Sequence, residues 1–221
     1  MKTWCISDTH GFHEDLRIPD VDMIIHAGDI SNTQNRAVNS NECALFLNWY
    51  DKLPIKYKLL TAGNHDTSIE SGLINPKDFK SIVYEKHGTI EIKGLKIFMS
   101  AYTPSFGTGW AFNIARHKAI DYWEEIPDEC DIVVTHGPPK GILDISNNQY
   151  DQMEYCGCKT LLNKIYEVCP KYHIFGHIHN NNGHNNRGKR IVNDITFINA
   201  SVVTDGKFNL GLQSNGIIIE I

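Results

Sequence analysis

No apolar run in this chain approaches the roughly 20 residues that a bilayer demands, so no membrane-spanning segment is expected. The first residues, Met1-Lys2-Thr3-Trp4-Cys5-Ile6-Ser7, lack the apolar core of a secretory leader. The six cysteines (Cys5, Cys43, Cys130, Cys156, Cys158 and Cys169) form no disulfide framework. Cys156 and Cys158 flank a single glycine, tighter than the usual zinc-ribbon pair. These absences lead us to expect free thiols and a reducing, cytoplasmic setting. An excess of positive charge is missing as well. The formal net charge is −5, which disfavours extended binding along a nucleic-acid backbone but leaves a small phosphorylated substrate open. No internal repeat stands out, and the Asn-rich residues 180–190 read as a loop. What remains is an ordinary globular composition over 221 residues, read as one domain, 1–221, with a sizeable core.

The segment Phe175-Gly176-His177-Ile178-His179 organises the reading. Residues 172–175 are a short apolar run, hence a buried strand. Two histidines two residues apart then share one side of an extended backbone. Beside a glycine at a strand end, such a pair reads as metal ligands. The same design recurs along the chain. Residues 3–7 are a strand running into Asp8-Thr9-His10-Gly11, and residues 23–27 a strand ending in Gly28-Asp29. Apolar residues within 41–53 have helical spacing, closed by Pro54. Residues 57–62 form a strand ending in Gly63-Asn64-His65-Asp66. Residues 82–84, 89–92 and 95–102 read as consecutive strands, two of them joined at Lys93-Gly94. Residues 113–125 read as a helix broken by Pro127, and 131–135 as a strand ending in His136-Gly137-Pro138-Pro139. Residues 158–168 are a helix stopped before Pro170, and 195–199, 207–212 and 216–221 close the chain as strands. This order predicts an α/β fold: a four-layer α/β/β/α sandwich of two mixed sheets flanked by helices. Functional groups collect at the carboxyl ends of strands in open α/β sheets.

Together the strand tips read Asp8-Thr9-His10, Gly28-Asp29, Gly63-Asn64-His65-Asp66, Thr135-His136-Gly137 and Gly176-His177-Ile178-His179. This ordered set resembles the calcineurin-like metallophosphoesterases. Ile24-Ile25-His26-Ala27-Gly28-Asp29, Thr135-His136-Gly137-Pro138-Pro139, Phe197-Ile198-Asn199-Ala200-Ser201 and Trp110-Ala111-Phe112-Asn113 are similar to the small metallophosphoesterase-domain branch, related to class III cyclic nucleotide phosphodiesterases. The resemblance implies two divalent ions. Asp8, His10, Asp29 and His179 would hold one; Asp29, Asn64, His136 and His177 would hold the other, with Asp29 shared. Carboxylate, imidazole and amide oxygen suit Mn, Fe or Zn better than Ca, and Mn is the ion expected to serve in vitro. Two such ions about 3.5–4 Å apart repel, so a shared carboxylate and a shared hydroxide are needed, and the hydroxide is a nucleophile at neutral pH. The resemblance makes His65 the general acid facing the leaving oxygen, a role suited to a side chain type that exchanges protons near neutrality. Asp66 is expected to bond backbone amides.

The activity so implied is hydrolysis of phosphodiesters, with cyclic or other nucleotides among the candidates. A small-molecule phosphomonoesterase or a nuclease is the alternative within enzymes, and the acidic net charge weighs against the nuclease. A non-catalytic scaffold of the same fold would typically have lost ligands, whereas all seven positions and His65 are present. The Asp-Arg-Gly box of protein Ser/Thr phosphatases is absent after Asp29, which argues against that class and leaves open what orients His65. Trp110 and Phe112, in an aromatic loop with two glycines, are candidate walls for a nucleobase, set against ordinary packing under the loop. His26 reads as a core residue. His13 could approach substrate or lie on the surface, and Asn199 could reach the metal shell. Arg187, Lys189 and Arg190 read as a solvated basic cluster. The sequence contains no signal for an oligomeric state.

Overall fold

Side-chain alternation along the strands sorts the layers. In strand Lys2–Ile6, Trp4 and Ile6 face helix Arg36–Lys52, and Cys5 faces the opposite way. In strand Ile132–Thr135, Val133 faces helix Lys159–Val168 while Ile132 and Val134 face Cys5's layer. The computed structural model describes residues 1–147, 152–181, 184–205 and 210–221, and among them the buried apolar residues fall into three clusters. The middle cluster (Cys5, Met23, Ile25, Leu59, Ile97, Ile132, Ile174, Ile198) lies between two sheets, and the outer two lie under helices. Three apolar interlayers make four layers, so the fold is the α/β/β/α sandwich expected from the sequence.

The first sheet runs Ile217–Glu220, Lys2–Ile6, Met23–Ala27, Tyr57–Thr61, Ile82–Tyr84, parallel except at its Ile217–Glu220 edge. The second runs Gly188–Val192, Ile195–Asn199, Tyr172–Phe175, Ile132–Thr135, Leu95–Ser100, His87–Ile92, with four parallel strands between antiparallel edges. Residues 82–84 therefore leave the strand block and join the first sheet. The two sheets meet at their carboxyl ends. Ser7 pairs with Ser201, and its amide donates to the Ala200 carbonyl at 3.0 Å.

Helix Arg36–Lys52 begins a turn earlier than its apolar spacing suggests, because the Asn35 side chain caps the Val38 amide at 3.3 Å. It buries Asn39, Cys43, Phe46, Leu47 and Tyr50. Helix Lys159–Val168 ends at Cys169, in the left-handed region before Pro170. The helix expected over 113–125 is corrected. Asn113–Ile114 pairs with Thr103–Pro104, Ala115 is extended, and only Arg116–Lys118 and Ala119–Trp123 coil. Of the strand expected over 207–212, Leu210–Leu212 forms, and residues 206–209 lie outside the described residues. The Asn-rich loop is corrected in part, since Asn180–Asn181 and Gly188–Val192 are strands. No helix among the described residues is long and apolar enough to cross a membrane.

Candidate metal centre

The strand tips bend sharply where they leave the sheets. Asp8 (φ 54), His10 (φ 43), Asp29 (φ 59) and His177 (φ 68) occupy the left-handed region without being glycine. Such backbones cost roughly 1–3 kcal/mol each and persist only where surrounding bonds impose them. The bonds are visible. The His177 amide donates to both Asp8 oxygens at 3.0 Å, and the His65 amide donates to Asp29 Oδ1 at 2.7 Å. A Cβ on Gly176 would collide with Asp8 Oδ2 and Ser7 Oγ, and one on Gly63 with Asp29 Oδ1 and, at 2.5 Å, the Asp29 amide. Glycine at these two positions is what lets the tips close on the carboxylates.

The closure gathers three groups in which the ligating atoms lie within 4.8 Å of one another: Asp8, His10 and His179; His10, Asp29 and His65; Asp29, His136 and His177. Asp29 Oδ2 is 3.2 Å from His136 Nε2 and 3.9 Å from His10 Nε2. Asp8 Oδ1 is 3.3 Å from His179 Nε2, which is 3.3 Å from His10 Nε2. Asn64 Oδ1 lies 2.8 Å from His136 Nε2. All seven positions singled out in the sequence thus meet in one centre, along with His65. Carbonyl partners fix the tautomers, since a carbonyl only accepts. His10 Nδ1 donates to Ser31 O (2.8 Å), His136 Nδ1 to Ala27 O (2.9 Å) and His65 Nδ1 to Asn32 O (2.5 Å). His10 Nε2 is left with its lone pair available, whereas His136 Nε2 faces two acceptors, Asp29 Oδ2 and Asn64 Oδ1. The Asn32 carbonyl orients His65, the role left open by the missing Asp-Arg-Gly box.

Electrostatics set the same demand. Burial opposes ionisation of Asp8 and Asp29, yet hydrogen bonds and charges from His179 and His136 hold both carboxyls well below the usual range. Burial would lower His136 and His179, but Asp29 raises the first to about 9, and bonds to Asp205 and Asp8 raise the second to about 10. Those two protons answer the negative charge of Asp8 and Asp29. His10 and His177, buried with less compensation, are lowered to about 4 and about 3 and are neutral donors of lone pairs. Two buried carboxylates, an amide oxygen and neutral imidazoles fit divalent transition metals.

A profile of the calcineurin-like phosphoesterases matches residues 1–181. The chain belongs to that family. Metallophosphoesterase domain-containing protein 1 of Homo sapiens is 31% identical, over 90% of this chain and 65% of its own length. This chain therefore spans just under two thirds of that relative. A UPF0046 protein of Caenorhabditis elegans is 35% identical, over 90% of this chain and 74% of its own. One solved structure has a TM-score of 0.65 at 14% identity, over 96% of this chain and 99% of the other, which shows a shared fold.

Around this family centre, Asp66 does what its sequence position suggested. Its carboxylate accepts from the amides of Gly63, Asp29, Ile30 and Ser31 and from Ser31 Oγ, at 2.8–3.1 Å. Burial and the Asp29 charge push it up to about 6 against those donors. His26 is a core residue, bonded to Thr9 Oγ1 (3.1 Å) and the Gly28 amide (3.2 Å). His13 is neither at the centre nor on the surface; it is buried against Phe46 and Trp49. Asn199 reaches the ligand segment indirectly, donating to Ile178 O at 2.9 Å.

A cleft of about 780 Å³ opens beside His177, lined among others by Phe106, Arg116, Lys140 and Tyr155. Trp110 packs on His65 with ring centres 4.6 Å apart. Phe112, 3% exposed, turns into the core and lines a different cavity with Tyr84 and Tyr102. It has no free face for a base. From this loop, the ring that lines the cleft is Phe106, 48% exposed and 4.9 Å from the His177 ring. Phe106 lies in the same aromatic loop, from which the sequence singles out Trp110 and Phe112 instead. Asp205, bonded to His179 Nδ1 at 2.8 Å, was missed for lack of any motif around it, and the family match stops short of it.

Proposed function

We propose that this chain is a metal-dependent phosphodiesterase with a dinuclear centre, acting on small, nucleotide-like esters. The observation that carries the reading is the position of Asp29, whose carboxylate stands between two sets of donors: Asp8, His10 and His179 on one side, Asn64, His136 and His177 on the other. Divalent ions held there would supply an activated water and neutralise phosphate oxygens. The chain's own residues do the rest. His65, pinned through Nδ1 to Asn32, presents Nε2 toward the centre and delivers a proton to the leaving oxygen when its ring is charged. Trp110 and His10 flank the His65 ring and limit its rotation. A cleft of about 780 Å³ has the size of small-ligand sites, and Phe106 and Tyr155 on its lining are the exposed aromatics available to a base.

The test is a panel of phosphomonoesters, aryl diesters and cyclic nucleotides, assayed with Mn, Fe, Zn or Mg after chelation. We expect diester hydrolysis to vanish with the chelator and return with Mn, and Asp29→Asn to be the most damaging ligand change. Undiminished activity in a protein stripped of transition metal would sink the reading. Faster turnover of monoesters across the panel would replace the diesterase with a phosphomonoesterase.

A further inference from the structure

The histidines of the centre differ in what holds them. His10, His136 and His65 donate Nδ1–H to backbone carbonyls of Ser31, Ala27 and Asn32, all at the tips of the first sheet. His179 is held by a charged side chain. Its Nδ1 lies 2.8 Å from Asp205 Oδ1, while Nε2 faces Asp8 at 3.3 Å. Asp205 ends the strand Val203–Asp205, in a small sheet with Asn180–Asn181 and Leu210–Leu212. The register is fixed next to the ligand itself: Asn180 pairs with Thr204, whose Oγ1 donates to Asn180 O at 2.9 Å. The Asp205 side chain is 49% exposed. This anchor can therefore be lost without opening the main sheets, whereas a carbonyl anchor at a sheet tip cannot.

A carboxylate behind a ligating imidazole fixes its tautomer and raises its basicity, and losing such a partner typically costs 10–100-fold in metal affinity. We propose that Asp205 is a positioning residue for the ion held by Asp8, His10, Asp29 and His179, and that it sets this ion's affinity independently of the ion held by Asp29, Asn64, His136 and His177. The inference rests on the dinuclear reading. It assigns a role in metal retention to the part of the chain beyond the family-matched segment. The competing account is a surface ion pair that only closes the small sheet.

The experiment is calorimetric titration of metal-free protein with Mn, with electron paramagnetic resonance at each equivalent, and needs no turnover. Wild type is expected to take up two ions with the spectrum of a coupled pair. Asp205→Asn should weaken one site by about 10–100-fold and leave the other near its wild-type affinity, giving an isolated-ion spectrum at one equivalent. Asp205→Glu should recover part of the loss, which a mere sheet-closing role does not require. Asp205→Ser serves as a second removal if the Asn variant melts abnormally. Two sites of wild-type affinity in a folded Asp205 variant, or equal weakening of both, would overturn the proposal. A wild-type protein that takes up no pair of ions would overturn the dinuclear reading and this inference with it, an outcome distinguishable from the others because it appears before any substitution.

Discussion

Asp8, His10, Asp29 and His177 carry their side chains on backbones that L-residues rarely adopt, and they are four of the ten such non-glycine residues among those described. Amide-to-carboxylate bonds from His177 to Asp8 and from His65 to Asp29 hold these backbones, and that bracing separates a prepared site from a chance cluster of polar groups. His65 is the residue where geometry leaves three roles to be told apart: acid, phosphate-positioning group and ligand. It lies close enough to His10 and Asp29 to join a ligand group, and its Nδ1 is already committed to Asn32. As a general acid, His65→Ala should retain both ions by elemental analysis. It should lose about 10²–10⁴-fold in rate on alkyl esters, whose leaving oxygens need a proton, and far less on nitrophenyl esters. Equal losses on both ester types would make His65 a phosphate-positioning residue, and loss of an ion would make it a ligand.

At the scale of elements, two tips that carry candidate ligands are braced in the same way. Thr9, between Asp8 and His10, bonds to buried His26, and Thr135, before His136, bonds to buried His173 at 2.9 Å. Thr135 Oγ1 donates to Gly137 O, so His173 Nε2 must be the donor to Thr135, and among the described residues buried His173 Nδ1 has no partner. Burial lowers His173 to about 3. An unfolded chain binds that proton near 6.5, so this contribution to stability is fully present above 6.5 and is lost as pH falls toward 3. Metal-free His173→Gln, which keeps a donor but does not titrate, should show a shallower pH dependence of unfolding free energy. The difference should be about 1.4 kcal/mol per pH unit between roughly 6 and 4. Parallel slopes for the two proteins would mean His173 is protonated in the fold. The tips were legible in the sequence because five of them repeat one design, an apolar strand ending in polar donors punctuated by a glycine. The helix over 113–125 was misjudged because its apolar spacing cannot register the extended Ala115 or the Asn113 pairing with Thr103. Phe112's burial and Phe106's exposure were equally hidden, since a loop aromatic has no periodicity to say which way it turns. Asp205 carries no local signal at all, its partner His179 being brought to it by the small sheet.

For the molecule as a whole, the centre lies where two sheets meet and draws on both. Asp8, His10, Asp29 and Asn64 follow strands of the first sheet; His136, His177 and His179 follow strands of the second. Direct bonds already join the sheets there, from Ser7 to Ala200 and from His136 Nδ1 to Ala27 O. Ions shared between these donors would add a cross-tie that the unfolded chain cannot form. A ligand at a hundred times its dissociation constant stabilises by about 2.7 kcal/mol, so two ions at that excess contribute roughly 5 kcal/mol. For a chain of this size that corresponds to a rise in Tm on the order of 10 °C. Calorimetry of chelated protein with and without Mn should show this shift, increasing with Mn concentration as mass action requires. Asp29→Asn should lose most of it, because that carboxylate serves both sets of donors. His173→Gln, which keeps the donor to Thr135, should keep the full shift from its own lower baseline. A chelated wild type whose Tm ignores Mn would show that the sheets do not share an ion, and the centre would then have to be read as a proton-stabilised cluster of Asp8–His179 and Asp29–His136 pairs.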